Sequence, residues 1–191
     1  MNERFDLGDV LAFTAGTIGE PGQRVFFLQA RAEHAVVTVK CEKQQVAALG
    51  QFLDGLLQDL PTPDDDLLPS APELVDPVDP VWVAGALGVA WEGGLDRFVV
   101  VVDELNENAL ADGAEGSEGS EGSVTSEAEA VAEFLQEDAS SDLGRLRLEL
   151  TRSQAKAFSV RATELVAAGR PPCRFCGMPI DPDGHACPRM N

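Results

Sequence analysis

The chain has 191 residues, 44% of them hydrophobic and 25% charged, and its formal net charge at pH 7 is −19. This length fits one ordinary domain, or two half-domains that share a core, whereas the negative charge opposes nucleic-acid binding, which needs clustered Lys and Arg. No stretch approaches the ~18 consecutive apolar residues of a membrane span and the N-terminus lacks a secretion signal, so we expect a cytoplasmic protein that binds neither nucleic acid nor membrane.

The first part of the chain is predicted to form three strands and a helix. Residues 5–18 mix β-branched, aromatic and small residues, with glycines such as Gly16 that suggest bends. Two further runs, at 25–28 and 35–39, are typical of strands. A helix is predicted over 42–60, because apolar residues recur there every three or four positions and prolines follow.

Most of the acidity belongs to two segments that contain no Lys or Arg. Eight carboxylates lie between positions 54 and 79, and thirteen lie between positions 103 and 142. Residues 61–80 are also rich in proline and are predicted to form an extended connector. Residues 106–144 are predicted to be a disordered acidic insertion, because 106–123 degenerate into Gly-Ser-Glu triplets with too little apolar content to repay ordering.

The second part of the chain repeats the order of the first. Residues 81–91 and 97–103 are predicted to be strands around a glycine turn, and 145–150 alternates strictly between polar and apolar residues, as a half-buried strand does. Ser153 is predicted to cap a helix that runs to about Ala168.

These patterns predict an α+β fold built by internal duplication. The strand-to-helix junction at 39–45 matches the one at 148–154 in the order of apolar, charged and polar residues, and both end in glutamine. We therefore predict two β-β-β-α halves, the first over 1–60 and the second over 81–105 and 145–169. Their helices are expected to pack on antiparallel sheet over a shared core.

The end of the chain gathers three of the four cysteines and one of the two histidines within fifteen positions. A Cys-x-x-Cys turn places two sulfurs around one ion, and the Asp-Pro-Asp-Gly run at 181–184 is a turn that would bring the later His-x-Cys pair back toward them. Three cysteines and a histidine would fill the four positions of tetrahedral Zn²⁺, so the ion would be structural. This knuckle, over 170–191, has four predicted ligands: Cys173, Cys176, His185 and Cys187.

Two other readings of the cluster stay open at this point: a reduced tail without metal, and redox or persulfide chemistry at the Cys-x-x-Cys. Cys41 ends a predicted strand, and we expect it to be a buried structural residue. No nucleophile stands beside a base, and no glycine loop has the lysine of a phosphate cradle, so no catalytic or cofactor-binding residues are predicted.

The favoured hypothesis is a non-catalytic interaction or regulatory protein, whose knuckle and sheet would dock an unknown protein partner. The alternative is an enzyme or small-ligand binder with a pocket between the two halves near Trp82 and Trp91, which flank a strand of small residues.

Three segments resemble an uncharacterised actinobacterial family, domain-of-unknown-function family 3090. They are Phe-Asp-Leu-Gly-Asp-Val at 5–10, Gly-Arg-Pro-Pro-Cys-x-x-Cys-Gly at 169–177 and Asp-Pro-x-Gly-His-x-Cys-Pro at 181–188. The resemblance covers essentially the whole chain. It implies a cytoplasmic bacterial protein that ends in a zinc site, and it carries no established activity.

Overall fold

The structure is a computed structural model, which describes residues 3–20, 22–61, 71–106, 143–169, 173, 175–176 and 187–189. The predicted disorder of the acidic insertion falls largely on residues outside these ranges. Within them the chain forms seven strands and two helices: β1 (Arg4–Asp9), β2 (Ala12–Ile18), β3 (Val25–Arg31), β4 (Val36–Cys41), α1 (Lys43–Gln58), β5 (Ala84–Glu92), β6 (Arg97–Glu104), β7 (Arg145–Leu150) and α2 (Arg152–Ala167).

The strands form two sheets, so the fold is mixed α+β as predicted. One sheet has the order β2-β3-β4, and the other has the order β1-β7-β6-β5. All pairs are antiparallel except β1 with β7, which is parallel. The expectation of purely antiparallel sheet is therefore wrong for β1, and the segment 5–18 contains two strands that lie in different sheets.

The two sheets are joined at both ends. Between β1 and β2, the Val10 N–H donates to the Glu149 carbonyl at 3.3 Å and the Leu11 N–H donates to the Arg31 carbonyl at 2.8 Å. At the other end, Lys40 forms a parallel bridge with Val83, just before β5. The three consecutive strands β2–β4 form one meander and β5–β7 form another. The last strand of each meander thus pairs in parallel with the segment that leads into the other meander.

Both helices begin with a capping box, in which the N-cap side chain and a glutamine three residues later bond each other's backbone N–H. In α1 the pair is Glu42 and Gln45, and in α2 it is Thr151 and Gln154. The N-cap of α2 is thus Thr151 rather than Ser153, because Thr151 keeps extended backbone and its hydroxyl accepts from Gln154 at 3.2 Å. Within the described ranges, no helix has the length and apolar character to cross a membrane.

The same two glutamines tie each helix to the opposite meander. The Gln45 side-chain amide donates to the Gly85 carbonyl on β5 at 2.7 Å and to the Ala84 carbonyl at 3.1 Å. The Gln154 amide donates to the Val10 carbonyl, just before β2, at 2.7 Å. Each helix start is therefore bonded to the backbone at the entrance of the other meander.

A single core lies between the two sheets and the two helices. In β7 the side chains of Leu146, Leu148 and Leu150 point inward and are fully buried, as their alternation predicted. Phe13 of β2 stacks on Phe158 of α2 with ring centroids 4.7 Å apart. Burial of these apolar side chains is the main stabilising term of the fold.

The ends of the acidic insertion are held together at one corner of the second sheet. Arg145 forms a bidentate ion pair with Asp103, with N···O distances of 2.6 and 2.9 Å. Glu104 and Gly144 exchange two hydrogen bonds of 2.8 Å, one of them through the Glu104 carboxylate. The β6–β7 pairing is thereby closed by residues on both sides of the insertion.

The helices contact each other closely at Gly50 of α1. A Cβ added there would lie 2.7 Å from the Ala162 Cβ of α2, which is closer than carbon atoms approach without a shift. Lys156 and Asp54 pair across the same interface at 2.6 Å, but both are 40% exposed, so the pair contributes little. The crossing therefore depends on the absence of a side chain at position 50.

We expect Gly50→Ala to destabilise the protein by about 1–3 kcal/mol through overpacking, although alanine is the better helix former. Gly55→Ala in the same helix is the matched control, because a Cβ at Gly55 meets nothing within 4 Å. That control should stabilise by about 0.5–1 kcal/mol. Urea unfolding of both variants measures the difference. Equal changes of the unfolding free energy in the same direction would show that the two helices are not closely packed at Gly50.

A buried row of polar side chains crosses the sheet on the face away from the helices. Thr14, Gln29 and Thr38 are register partners on β2, β3 and β4, and each is at most 2% exposed. The Gln29 amide accepts from the Val75 N–H at 2.8 Å and donates to the Val75 carbonyl at 3.0 Å, while the Thr14 hydroxyl donates to the Pro72 carbonyl. The end of the predicted connector thus packs on the sheet.

A small residue is required at position 16 of β2, where the connector packs on the sheet. Gly16 was expected to mark a bend, yet it lies within β2, where any Cβ would overlap the Leu74 side chain. Farther along, the Val81 N–H donates to the Thr38 carbonyl at 2.9 Å, and the Lys40 N–H donates to the Trp82 carbonyl at 3.0 Å. Residues 71–82 therefore cover one sheet face and then pair with the edge of β4.

We expect Gln29→Leu to cost about 2–4 kcal/mol, because it leaves both backbone groups of Val75 without their partner. Gln44→Leu replaces an exposed glutamine and should change stability by no more than about 0.5 kcal/mol. Urea unfolding gives both values, and hydrogen exchange at the Val75 amide should accelerate only in the first variant. Unchanged exchange there would mean that the connector is held by other contacts.

Candidate metal centre

The structure brings three of the predicted ligands together. The sulfurs of Cys173, Cys176 and Cys187 lie within 4.8 Å of one another, and those of Cys173 and Cys187 are 3.8 Å apart. Two sulfurs bound at about 2.3 Å to a tetrahedral zinc ion lie about 3.8 Å apart, whereas a disulfide joins sulfurs at about 2.05 Å. None of the three forms a disulfide, and their spacing could hold a metal ion.

The turn between the first two cysteines favours a thiolate. Hydrogen bonds from the backbone N–H groups of Cys176 and Phe175 lower the pKa of Cys173 to about 7, and they outweigh the opposing effect of burial. Only 6% of Cys173 is exposed. Because the thiolate is the form that binds metal, the fold of this turn prepares the first ligand.

Arg189 connects the two parts of the cluster. Its guanidinium donates to the carbonyl of Phe175, inside the Cys-x-x-Cys turn, at 3.0 Å. Arg189 follows Cys187 by two residues, so this bond holds the third cysteine against the turn that carries the first two. The Phe175 side chain is 49% exposed and lies on the outside of the cluster.

The sequence matches the family described as "Protein of unknown function (DUF3090)" over residues 5–187. The chain belongs to this family. No curated protein matches the chain. No solved structure matches it either. In this DUF3090 chain the match includes the whole cysteine cluster.

The fourth predicted ligand, His185, lies outside the described residues. The three sulfurs therefore make up the part of the site that the structure describes, and the histidine stays a prediction. Thiolate sulfur is a soft donor that suits zinc, copper(I) and iron–sulfur clusters rather than magnesium or calcium.

Cys41, the remaining cysteine of this DUF3090 chain, has the opposite environment. It ends β4, is 3% exposed and belongs to the core, as expected from the sequence. Burial, with a smaller effect from the Glu42 charge, raises its pKa from 9.0 to about 12. Cys41 is therefore a neutral core residue.

This shift makes stability depend on pH in the alkaline range. The contribution of neutral Cys41 is fully present below pH 9 and is lost as pH rises from about 9 to about 12, because only the unfolded thiol ionises there. Between pH 8 and pH 10, wild type should lose about 1.4 kcal/mol more stability than Cys41→Ala. Urea unfolding under reducing conditions tests this, and equal losses would contradict it.

The sequence suggested a ligand pocket near the two tryptophans. Trp82 is 8% exposed, and its ring nitrogen has no hydrogen-bond partner among the described residues. Trp91 packs on Phe98 with centroids 4.7 Å apart, and the Arg152 guanidinium lies 5.9 Å from the Trp91 ring centroid. Both side chains pack against the core.

A pocket of about 320 Å³ lies instead where β3 begins, β4 and α2 end and α1 starts. Three of its lining residues carry positive charge: Arg24, Lys40 and Lys43. Sequence reasoning missed this site. The sequence does place two of the chain's three lysines on either side of Cys41. Arg24, however, is distant from them in sequence, and only the fold brings it into the same pocket.

Proposed function

We propose that this protein is a non-catalytic interaction or regulatory protein with a structural Zn²⁺ site in residues 170–191. The ligands would be the three clustered cysteines together with His185. The observation that carries the proposal is the distance of 3.8 Å between the Cys173 and Cys187 sulfurs, which suits two corners of a zinc tetrahedron.

Several properties of the donor set support zinc in a structural role. Three thiolates and an imidazole fill four coordination positions and leave none for water or substrate. The short segment that carries them cannot bury a core of its own, so metal binding would supply its folding free energy. The proposal places the protein in the cytoplasm, where thiols stay reduced and available to metal.

We also propose that the body arose by duplication of a β-β-β-α unit. Each meander, β2–β4 and β5–β7, is followed by a helix of 16 residues that starts with a glutamine capping box. Each capping glutamine bonds the entrance of the other meander, and each last strand pairs in parallel with that entrance. These reciprocal contacts support a common origin, with β1 added to the second sheet.

The knuckle would dock a protein partner through its outer surface. Phe175 exposes an aromatic ring there, and Arg189 is anchored beside it. Aromatic and arginine side chains are enriched among residues that dominate binding energy at interfaces. The metal would keep both at fixed positions, so that loss of the ion would also remove the docking surface.

We expect natively purified, untagged protein to contain one zinc ion per chain, measured by plasma mass spectrometry. The double variant Cys173→Ser, Cys176→Ser should contain less than about one tenth of that, because a serine hydroxyl is a poor zinc ligand. Cys41→Ala should keep the full content, since Cys41 lies in the core. Metal-free wild type, or equal metal in the double variant, would overturn the zinc site.

The same variants test the interaction role. A partner captured by wild type and by Cys41→Ala should be lost with the double variant, while the unfolding midpoint of the body stays within the range of the control. Capture that is undiminished by the double substitution would remove the knuckle from the interface.

A further inference from the structure

We propose that the pocket between α1 and the end of α2 binds a small organic phosphate. Its described lining residues include the cations Arg24, Lys40 and Lys43 and one carboxylate, Glu42, around a volume of about 320 Å³. The lining therefore carries a net charge of about +2 in a chain whose net charge is −19. Such a local reversal of charge favours an anionic ligand.

The two lysines have no other anionic partner in the described ranges of the chain. The chain contains three lysines, and the third, Lys156, pairs with Asp54 at 2.6 Å. Among the residues that the structure describes, neither Lys40 nor Lys43 forms an ion pair. Elsewhere in the described body, Arg97, Arg145, Arg147 and Arg152 all face carboxylates. The unpaired lysines thus coincide with the pocket.

The surrounding elements hold the charged groups in place. Arg24 donates to the Ala168 carbonyl at the end of α2 at 2.9 Å, which offsets the negative end of that helix dipole. The Lys43 ammonium lies beside Gly169, 3.2 Å from the position that a Cβ would take. Lys43 is also the first residue of α1, so the positive end of that helix faces the same space. Because Arg24 already bonds the end of α2, we assign most of the anion binding to Lys40 and Lys43.

The rest of the lining suggests the class of ligand. A phosphate monoester carries about −1.5 to −2 charges at pH 7 and three acceptor oxygens, which matches the net charge of the lining better than one carboxylate does. The pocket floor contains the buried side chains of Phe26, Cys41 and Leu165. These apolar groups would contact the organic part of the ligand, which inorganic phosphate lacks.

Phenyl phosphate is the probe, titrated into the full chain by calorimetry at low ionic strength. We expect it to bind at least about tenfold more tightly than benzoate, and more tightly than inorganic phosphate, because it engages both the cations and the apolar floor. Binding should weaken as salt is added, since Lys40 and Lys43 are exposed. Absence of binding by phenyl phosphate, or equal affinity for benzoate, would overturn the proposal.

Two charge variants and a matched control locate the site. The double variant Lys40→Gln, Lys43→Gln should lose at least about tenfold in affinity. Glu42→Gln, which removes the one carboxylate among the lining residues that the structure describes, should bind more tightly than wild type. Lys156→Gln removes one lysine charge outside the pocket and should bind as wild type does. Equal losses in the double variant and in the control would refute the assignment.

This proposal is independent of the zinc site. The lysine variants should keep their full metal content, and the double variant Cys173→Ser, Cys176→Ser should keep phenyl phosphate binding, so either proposal can fail without the other.

Discussion

The arrangement of the body depends on two half-buried glutamine amides. Gln45 and Gln154 each complete the capping box of their own helix and also bond the backbone at the entrance of the opposite meander. Because one side chain satisfies two backbone sites, the helix starts cannot move relative to the sheets without leaving polar groups unpaired. This constraint brings the two helices together at Gly50, closes the common core, and places the start of α1 beside the end of α2.

Local patterns in the sequence were sufficient to predict most elements. The alternation of residues 145–150 predicted β7 with its observed bounds, and the apolar spacing after Glu42 predicted α1. The pairing of β1 could not be predicted in this way, since its parallel partner β7 lies more than a hundred residues later in the chain. The same holds for Gln29, whose burial is explained only by Val75, a residue of a connector without strand periodicity.

The two candidate sites differ in how far the sequence predicts them, because one is local in the chain and the other is not. Cys173 and Cys176 lie within one turn and Cys187 follows closely, so spacing alone indicated that their sulfurs could converge, as the structure shows. The basic pocket combines residues from position 22 to position 169, and no short segment contains its pattern. Residue type alone does not determine the pKa of a cysteine. Burial in the core raises the pKa of Cys41, whereas hydrogen bonds from backbone N–H groups lower the pKa of Cys173.

The basic pocket includes residues at the end of α2, and the cysteine cluster follows shortly after them in the sequence. Arg24 holds the Ala168 carbonyl, and Gly169 lines the pocket. Only four peptide units separate Gly169 from Cys173, and a fully extended chain of that length spans about 14 Å. The Cα atom of Cys173 therefore lies within about 14 Å of the Cα atom of Gly169, so the cysteine cluster is close to the basic pocket. Because both proposed sites lie close to this end of α2, a partner docked on Phe175 would bind near a ligand held by Lys43.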